Sequence, residues 1–149
     1  MIESLIVPHL VILYTPNLEA HINMSSLCRT LADTMLAVRD ERDKQVFPTG
    51  GVRVLAYPAA HYAVADGGAA ALAAGGSSDY GFIYLNLRIG HGRSAAVHQA
   101  AGKALEAAAM SHLGPLLASR HVGITLQIDE GREVFDAKNS SLHTLFNKG

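Results

Sequence analysis

The sequence predicts an α+β domain in which two β-α-β units form a four-stranded sheet with two helices on one face. Three observations predict it. Four short segments rich in Val, Ile, Leu and Tyr punctuate the chain, and two stretches between them carry apolar residues every three or four positions. These elements follow one another in the same order in each half, as in a duplicated unit. At 149 residues the chain is long enough for one well-buried core and short for two.

The elements follow in order. Leu10 to Tyr14 is almost all apolar and partly β-branched, the pattern of a strand buried on both faces. From Asn23 to about Asp40 the residues Met24, Leu27, Leu31, Met35 and Val38 fall on one side of a helix, with Asn23 as its N-cap. The charged stretch Asp40 to Gln45 and the breakers Pro48, Gly50 and Gly51 make a loop, and Val52 to about Tyr57 a second strand. Ala65 to Asp79 is nearly all Ala, Gly, Ser and Asp; it has little to bury and reads as a mobile connector. Tyr80 to Ile89 is the third strand and Gly90 to Arg93 a turn. Ser94 then caps an Ala-rich helix to about Ala118, with Val97, Ala101, Leu105, Ala108 and His112 along one side. Val122 to Ile128 is the last strand. The domain is expected to span 8–149, with 1–7 as an N-terminal extension.

Helices on one face leave the other face of apolar strands uncovered, so an oligomer is expected. The tail from Phe135 to Phe146, with Leu142, Leu145 and Phe146, is expected to lie across a neighbour.

Composition removes several functional classes. Twelve basic and thirteen acidic residues give a net charge of -1, which offers no field for nucleic acid or an anionic membrane. The longest apolar run, Leu5 to Tyr14, is broken by Pro8 and His9 and is too short to cross a bilayer. Met1 to Val7 carries Glu3 in place of a positive n-region, so a signal peptide is not expected and a cytoplasmic protein is. The single cysteine, Cys28, reads as a thiol on a buried helix face. The eight histidines show no metal-ligand spacing, and Gly90-His91-Gly92 lacks the Lys and Ser/Thr of a phosphate loop. Neither a metal nor another cofactor is expected.

Three segments stand out within this plan: Pro8-His9-Leu10, Gly51-Val52-Arg53-Val54 and Gly92-Arg93-Ser94. With Phe47-Pro48, Asp79-Tyr80, Ile89-Gly90-His91 and the ending Leu142-His143-Thr144-Leu145-Phe146, their order and spacing give the chain its likeness to a known family. From Pro8 to Phe146 it resembles the 5-carboxymethyl-2-hydroxymuconate isomerases. These belong to the tautomerase superfamily with 4-oxalocrotonate tautomerase and macrophage migration inhibitory factor.

The resemblance implies the tautomerase fold, a homotrimer, and a cofactor-independent enol-keto isomerase acting on a small carboxylate. It makes Pro8 the match of a catalytic amino-terminal proline, and Arg53 and Arg93 the matches of substrate-binding arginines. The roles are physically sensible. A free secondary amine is a base tunable toward neutral pH by cations and apolar walls, and guanidinium groups grip carboxylates and a developing enolate oxygen.

Plainer roles stand beside these. Pro8 also suits the first position of a strand. Arg53, a charge in an apolar strand, requires a partner, either an internal carboxylate or a substrate. Arg93 also suits a solvated turn, although a backbone nest over Gly90 to Ser94 at a helix N-terminus favours an anion there. His91 is a further candidate to line the pocket.

Seven residues precede Pro8, whereas the family's proline is the first residue of the mature chain. An acylated proline nitrogen has no basic lone pair. The reading favoured here is a start at Val7, its codon used as an initiator, which leaves Pro8 first once Met is removed. The alternative is a non-catalytic small-anion-binding trimer with a capped Pro8.

Overall fold

The structure, a computed structural model, describes residues 8–146; the expected extension 1–7 lies outside the described residues. Four strands are present, β1 (His9–Tyr14), β2 (Arg53–Pro58), β3 (Tyr80–Ile89) and β4 (His121–Glu130), with helices α1 (Met24–Ala37), α2 (Ala69–Ala73) and α3 (Ala95–Ser119). The sheet order is β2-β1-β3-β4. Strands β1 and β2 are parallel, as are β3 and β4, and each pair is joined through a long helix. The two units meet in the antiparallel pairing of β1 with β3, from His9 opposite Arg88 to Tyr14 opposite Ile83. The expected α+β sheet is therefore observed.

Both long helices start where the sequence places them. Asn23 accepts a hydrogen bond from the Ser26 amide at 2.9 Å, and the Ser94 hydroxyl accepts from the Val97 amide at 3.2 Å. Each cap satisfies a donor that the first helical turn leaves without a partner. One core lies between the helices and the sheet. Leu10, Ile12, Ile83, Leu85 and Leu87 meet Leu27, Leu31 and Met35 of α1 and Leu105 and Leu113 of α3, all fully buried or nearly so.

Three expectations change. The buried line of α3 runs Val97, Ala101, Leu105, Ala109, Leu113 and Leu116, so Ala108 and His112 flank it. Steps of four follow a ridge that slants across the helix instead of running along its axis. His112 instead bridges to α1, its Nε2 lying 3.2 Å from Thr30 Oγ1.

The second change is in the connector. Ala65 to Asp79 contains α2, whose first turn is held by Asp66: its carboxylate accepts from the amides of Gly68, Ala69 and Ala70 at 3.0, 3.1 and 3.0 Å. Gly68 has φ +101° and packs so close to the Ser78 carbonyl that a Cβ there would overlap it. Composition missed this because one carboxylate and one glycine decide it.

Third, β1, expected to be buried on both faces, alternates within the chain between buried and half-buried or exposed positions, and β2 is an edge strand whose residues are half-buried or exposed. Alternation places His9, Val11 and Leu13, Arg53, Leu55 and Tyr57, and Phe82, Tyr84, Asn86 and Arg88 on the sheet face away from the helices.

No helix among the described residues is long and apolar enough to cross a membrane.

Gly81 at the start of β3 is a packing constraint. A Cβ there would lie 2.6 Å from Leu18 Cδ2, and Leu18 is itself buried in the 3₁₀ turn Pro16–Leu18 after β1. Gly81→Ala is expected to destabilise the fold by about 1–3 kcal/mol through overpacking, read by denaturant or thermal unfolding.

Candidate active site

Pro8 lies immediately before β1 and is buried. Because β1 is central, a proline inside it would remove a ladder donor on a paired strand, so the position just before the strand is where a proline is tolerated. Continuing both registers by one residue sets Pro8 level with Val52 beside β2 and with Ile89 of β3.

Arg53 opens β2 directly opposite His9. Its Nη1 donates to the Gly51 carbonyl at 2.9 Å, and among the described residues no carboxylate pairs with it. The internal carboxylate allowed by the sequence is therefore not found among those residues.

Arg93 is not a solvated turn residue. Its guanidinium carbon stands 5.5 Å from the centroid of the Phe47 ring, a fully buried core side chain, and Nη2 donates to the Val46 carbonyl at 2.8 Å. Its Nε is buried without a hydrogen-bond partner among the described residues. Burial lowers the pKa of this guanidinium, and the Asp40 carboxylate opposes the shift. Gly92, at φ +110°, supplies the left-handed turn that aims the following residues into α3. The expected nest already has a carboxylate beside it, for the Ser94 hydroxyl donates to Glu41 Oε2 at 3.3 Å. His91 is exposed and lines none of the cavities described below.

The start of β1, the start of β2, the end of β3 and the turn into α3 lie at one end of the sheet. Pro8 and Arg53 are thus on adjacent strand ends. Arg93 is tied to the Val46–Phe47 segment just ahead of the 3₁₀ turn Thr49–Gly51 that leads into Arg53. The two arginines approach from different sides: Arg93 from the helix layer, Arg53 from the open face that it shares with His9.

Two neighbours were not singled out from the sequence. His9 and Arg88 are directly opposite one another and line a cavity of about 260 Å³ with Gly90, Glu133, Asp136 and Lys138. The segment carrying the last three turns back over the strand ends after Gly131, whose amide donates to the Ile89 carbonyl at 2.8 Å. The signal available for His9 was its place next to Pro8. Arg88 gave none, since its neighbours come from distant parts of the chain.

A larger cavity, about 730 Å³, lies between α1 and β2 and is lined by Tyr14, Glu19, Cys28, Val54 and Phe146 among others. There the Tyr14 hydroxyl donates to Glu19 at 2.6 Å. Burial first, then this bond, push the phenol up to about 12. Cys28 is half-buried at its wall and burial raises its thiol pKa. The turn His143–Leu145 packs on its own chain's Thr49–Gly51, so close that a Cβ on Gly50 would be 3.0 Å from His143 Nδ1 and 3.2 Å from Phe146. Within the chain, the end of the tail thus packs against the turn that leads to Arg53. Among the described residues no group of three or more His, Cys, Asp or Glu side chains could hold a metal ion.

A four-stranded mixed sheet with two helices on one face, and basic side chains gathered at one strand end, defines a protein with the tautomerase-like fold. The family model for 5-carboxymethyl-2-hydroxymuconate isomerase matches residues 8–146. A solved structure of a 5-carboxymethyl-2-hydroxymuconate delta-isomerase is 58% identical, covers 100% of this chain and 99% of its own, and superposes with a TM-score of 0.95. A 5-carboxymethyl-2-hydroxymuconate isomerase from Deinococcus radiodurans R1 is 33% identical over 96% of each chain, with a TM-score of 0.77. The 5-carboxymethyl-2-hydroxymuconate Delta-isomerase of Escherichia coli is 25% identical over 139 residues, 93% of this chain and 98% of its own. The chain belongs to the 5-carboxymethyl-2-hydroxymuconate isomerase family, and it is accordingly an isomerase.

The His9 imidazole is pushed below its usual pKa by burial first, then by Arg53 and Lys138, with Asp136 opposing. A depressed histidine is neutral in the folded state where the unfolded chain already takes a proton. Its contribution to stability is therefore present above the unfolded pKa and lost as pH falls through the folded one. In an NMR pH titration His9 is expected to show a midpoint below that of an unstructured histidine. Arg53→Gln is expected to raise that midpoint by removing a cation.

Proposed function

We propose that the chain catalyses the enol-keto isomerisation of 5-carboxymethyl-2-hydroxymuconate or a similar 2-hydroxymuconate, without a cofactor, with a free Pro8 nitrogen as acid and base. The observation that carries this reading is the family match beginning at Pro8, the residue at the head of β1 beside Arg53 and the Ile89 strand end.

The chemistry follows from the groups. The proline lone pair accepts the 2-hydroxyl proton, the C2–O bond becomes a carbonyl, and the electron pair moves along the diene to a distal carbon. That carbon takes the proton back from the prolinium, so atoms and charge balance. Arg53 and Arg93 bind carboxylates and stabilise the developing oxyanion. The anchoring of Arg93 on Val46 and Phe47 fixes its guanidinium before substrate arrives, which lowers the ordering cost of binding.

The working unit in this proposal is a homotrimer in the cytoplasm, with neither nucleic acid nor membrane as a partner. Leu13, Leu55, Tyr57 and Phe82, all exposed on the sheet face away from the helices, support burial of that face between subunits.

A second reading has its own observation. In the sequence as it stands Val7 acylates Pro8, and an amide nitrogen neither accepts nor donates the proton. On that reading the protein is a non-catalytic trimer that binds small anions through the same arginines.

Turnover of the dienol, followed by ultraviolet absorbance, is expected only in a chain beginning at Pro8, with both N-termini checked by mass spectrometry. Turnover by neither form across several 2-hydroxymuconates would favour the binding trimer. In the active form Arg53→Ala is expected to lower kcat/KM by about a hundredfold, the scale of losing one charged donor to a developing oxyanion.

A further inference from the structure

We propose that Arg88 is a third carboxylate-binding residue, selecting tricarboxylate over dicarboxylate substrates from the open face of the sheet; this rests on the isomerase reading above for the substrate and on geometry for the site. A carboxymethyl group on a hydroxymuconate adds a third carboxylate to the two of muconate. Arg53 and Arg93 account for two cations, and a substrate of that charge requires another when it leaves water.

Arg88 meets the requirement by position. The registers set Arg53, His9 and Arg88 in one row across β2, β1 and β3, all on the face away from the helices. With neighbouring strands about 4.8 Å apart, the two arginines flank His9 with about 10 Å between their backbones. His9 stands between them, and burial, then Arg53 and Lys138, lower its pKa, which disfavours a third charge in the row.

Arg88 is also not committed to the carboxylate across the strand from it. Asp129 is directly opposite it on β4, yet Asp129 Oδ2 accepts from Asn86 Nδ2 at 2.7 Å, and Arg88 makes no ion pair among the described residues. It lines the cavity of about 260 Å³ with His9, Gly90, Glu133, Asp136 and Lys138; Asp136 pairs with Lys138, Glu133 forms no ion pair among the described residues, and Gly90 begins the turn that carries Arg93.

The face itself divides. Farther along the strands it presents Leu13, Tyr57 and Phe82, which suit a partner subunit, whereas toward Pro8 it presents the cationic row. Two like charges one strand removed from each other disfavour burial against an apolar partner and favour an anion between them.

The test is calorimetric binding of propane-1,2,3-tricarboxylate and of glutarate to the full chain and to the chain beginning at Pro8, each unaltered and as Arg88→Gln and Arg88→Lys. Arg88→Gln is expected to weaken tricarboxylate binding about tenfold to a hundredfold, as for loss of a charged hydrogen bond, while glutarate affinity changes less than about threefold. Arg88→Lys is expected to recover part of the loss, and sedimentation velocity to show the same assembly throughout. Equal weakening of both ligands, no weakening, no tricarboxylate binding by either unaltered chain, or a fall in affinity that follows a change of assembly would overturn the assignment. Failure of the Pro8-first chain to turn over dienols, with selective binding intact, would count against the isomerase reading and leave Arg88 in place. If turnover occurs and Arg88→Gln leaves KM for the tricarboxylate dienol unchanged, the assignment fails and the isomerase reading stands.

Discussion

The antiparallel pairing of β1 with β3 is the constraint on which the rest of the molecule depends. It joins two β-α-β units that otherwise share no strand, and its register decides which side chains face the helices. With Leu10 opposite Leu87 and Ile12 opposite Leu85, four large side chains with no solvent exposure meet at the centre of the sheet. A slip of one residue would turn the slipped strand's pair, Leu10 and Ile12 or Leu85 and Leu87, to the open face and bring His9 or Arg88 into the core, at a cost of several kcal/mol that a marginally stable domain does not tolerate. The same register brings the head of β1, the head of β2 and the tail of β3 to one end of the sheet.

That end of the sheet is built from core. Phe47, fully buried, receives the Arg93 guanidinium on its ring face, and the Val46 carbonyl takes one of its donors. A guanidinium desolvated this far is tolerated when stacked and hydrogen-bonded, and it is weakly enough hydrated to sit there where an ammonium would not. Arg53 has a looser attachment, among the described residues a single side-chain bond to the Gly51 carbonyl. One arginine is therefore preorganised by the interior and the other is carried on an edge strand. The Thr49–Gly51 turn between them is in turn pressed by His143 and Phe146 of the tail. Packing at Gly50 thus couples the end of the chain to the approach to the site.

Charge and polarity on the open face are ordered by alternation. The helix-facing set of each strand is apolar because it is buried. The opposite set changes along the strands from Leu13, Tyr57 and Phe82 to His9, Arg53 and Arg88. Burial first, then the cations Arg53 and Lys138, lower the His9 pKa, so the row takes up a further proton less readily than an unstructured histidine would.

What the sequence by itself determined about this protein was whatever depends on neighbours within a turn or two. The periods of the helices, the caps Asn23 and Ser94, the four apolar strands and the order that groups them into two units were all legible, because a helix stripe and a cap are set by spacings of three and four residues. Pro8, Arg53 and Arg93 stood out through the motifs around them, which are also local. Only the tertiary structure decided that β2 is an edge, since strand order comes from pairing between segments far apart in the chain. It decided too that Ala65 to Asp79 holds a helix, because Gly68 must fit against Ser78 and the Ala71 amide finds the Tyr80 hydroxyl at 3.3 Å. It alone set Arg88 beside His9, since side chains that meet across a sheet are neighbours in space through a register that no local spacing encodes.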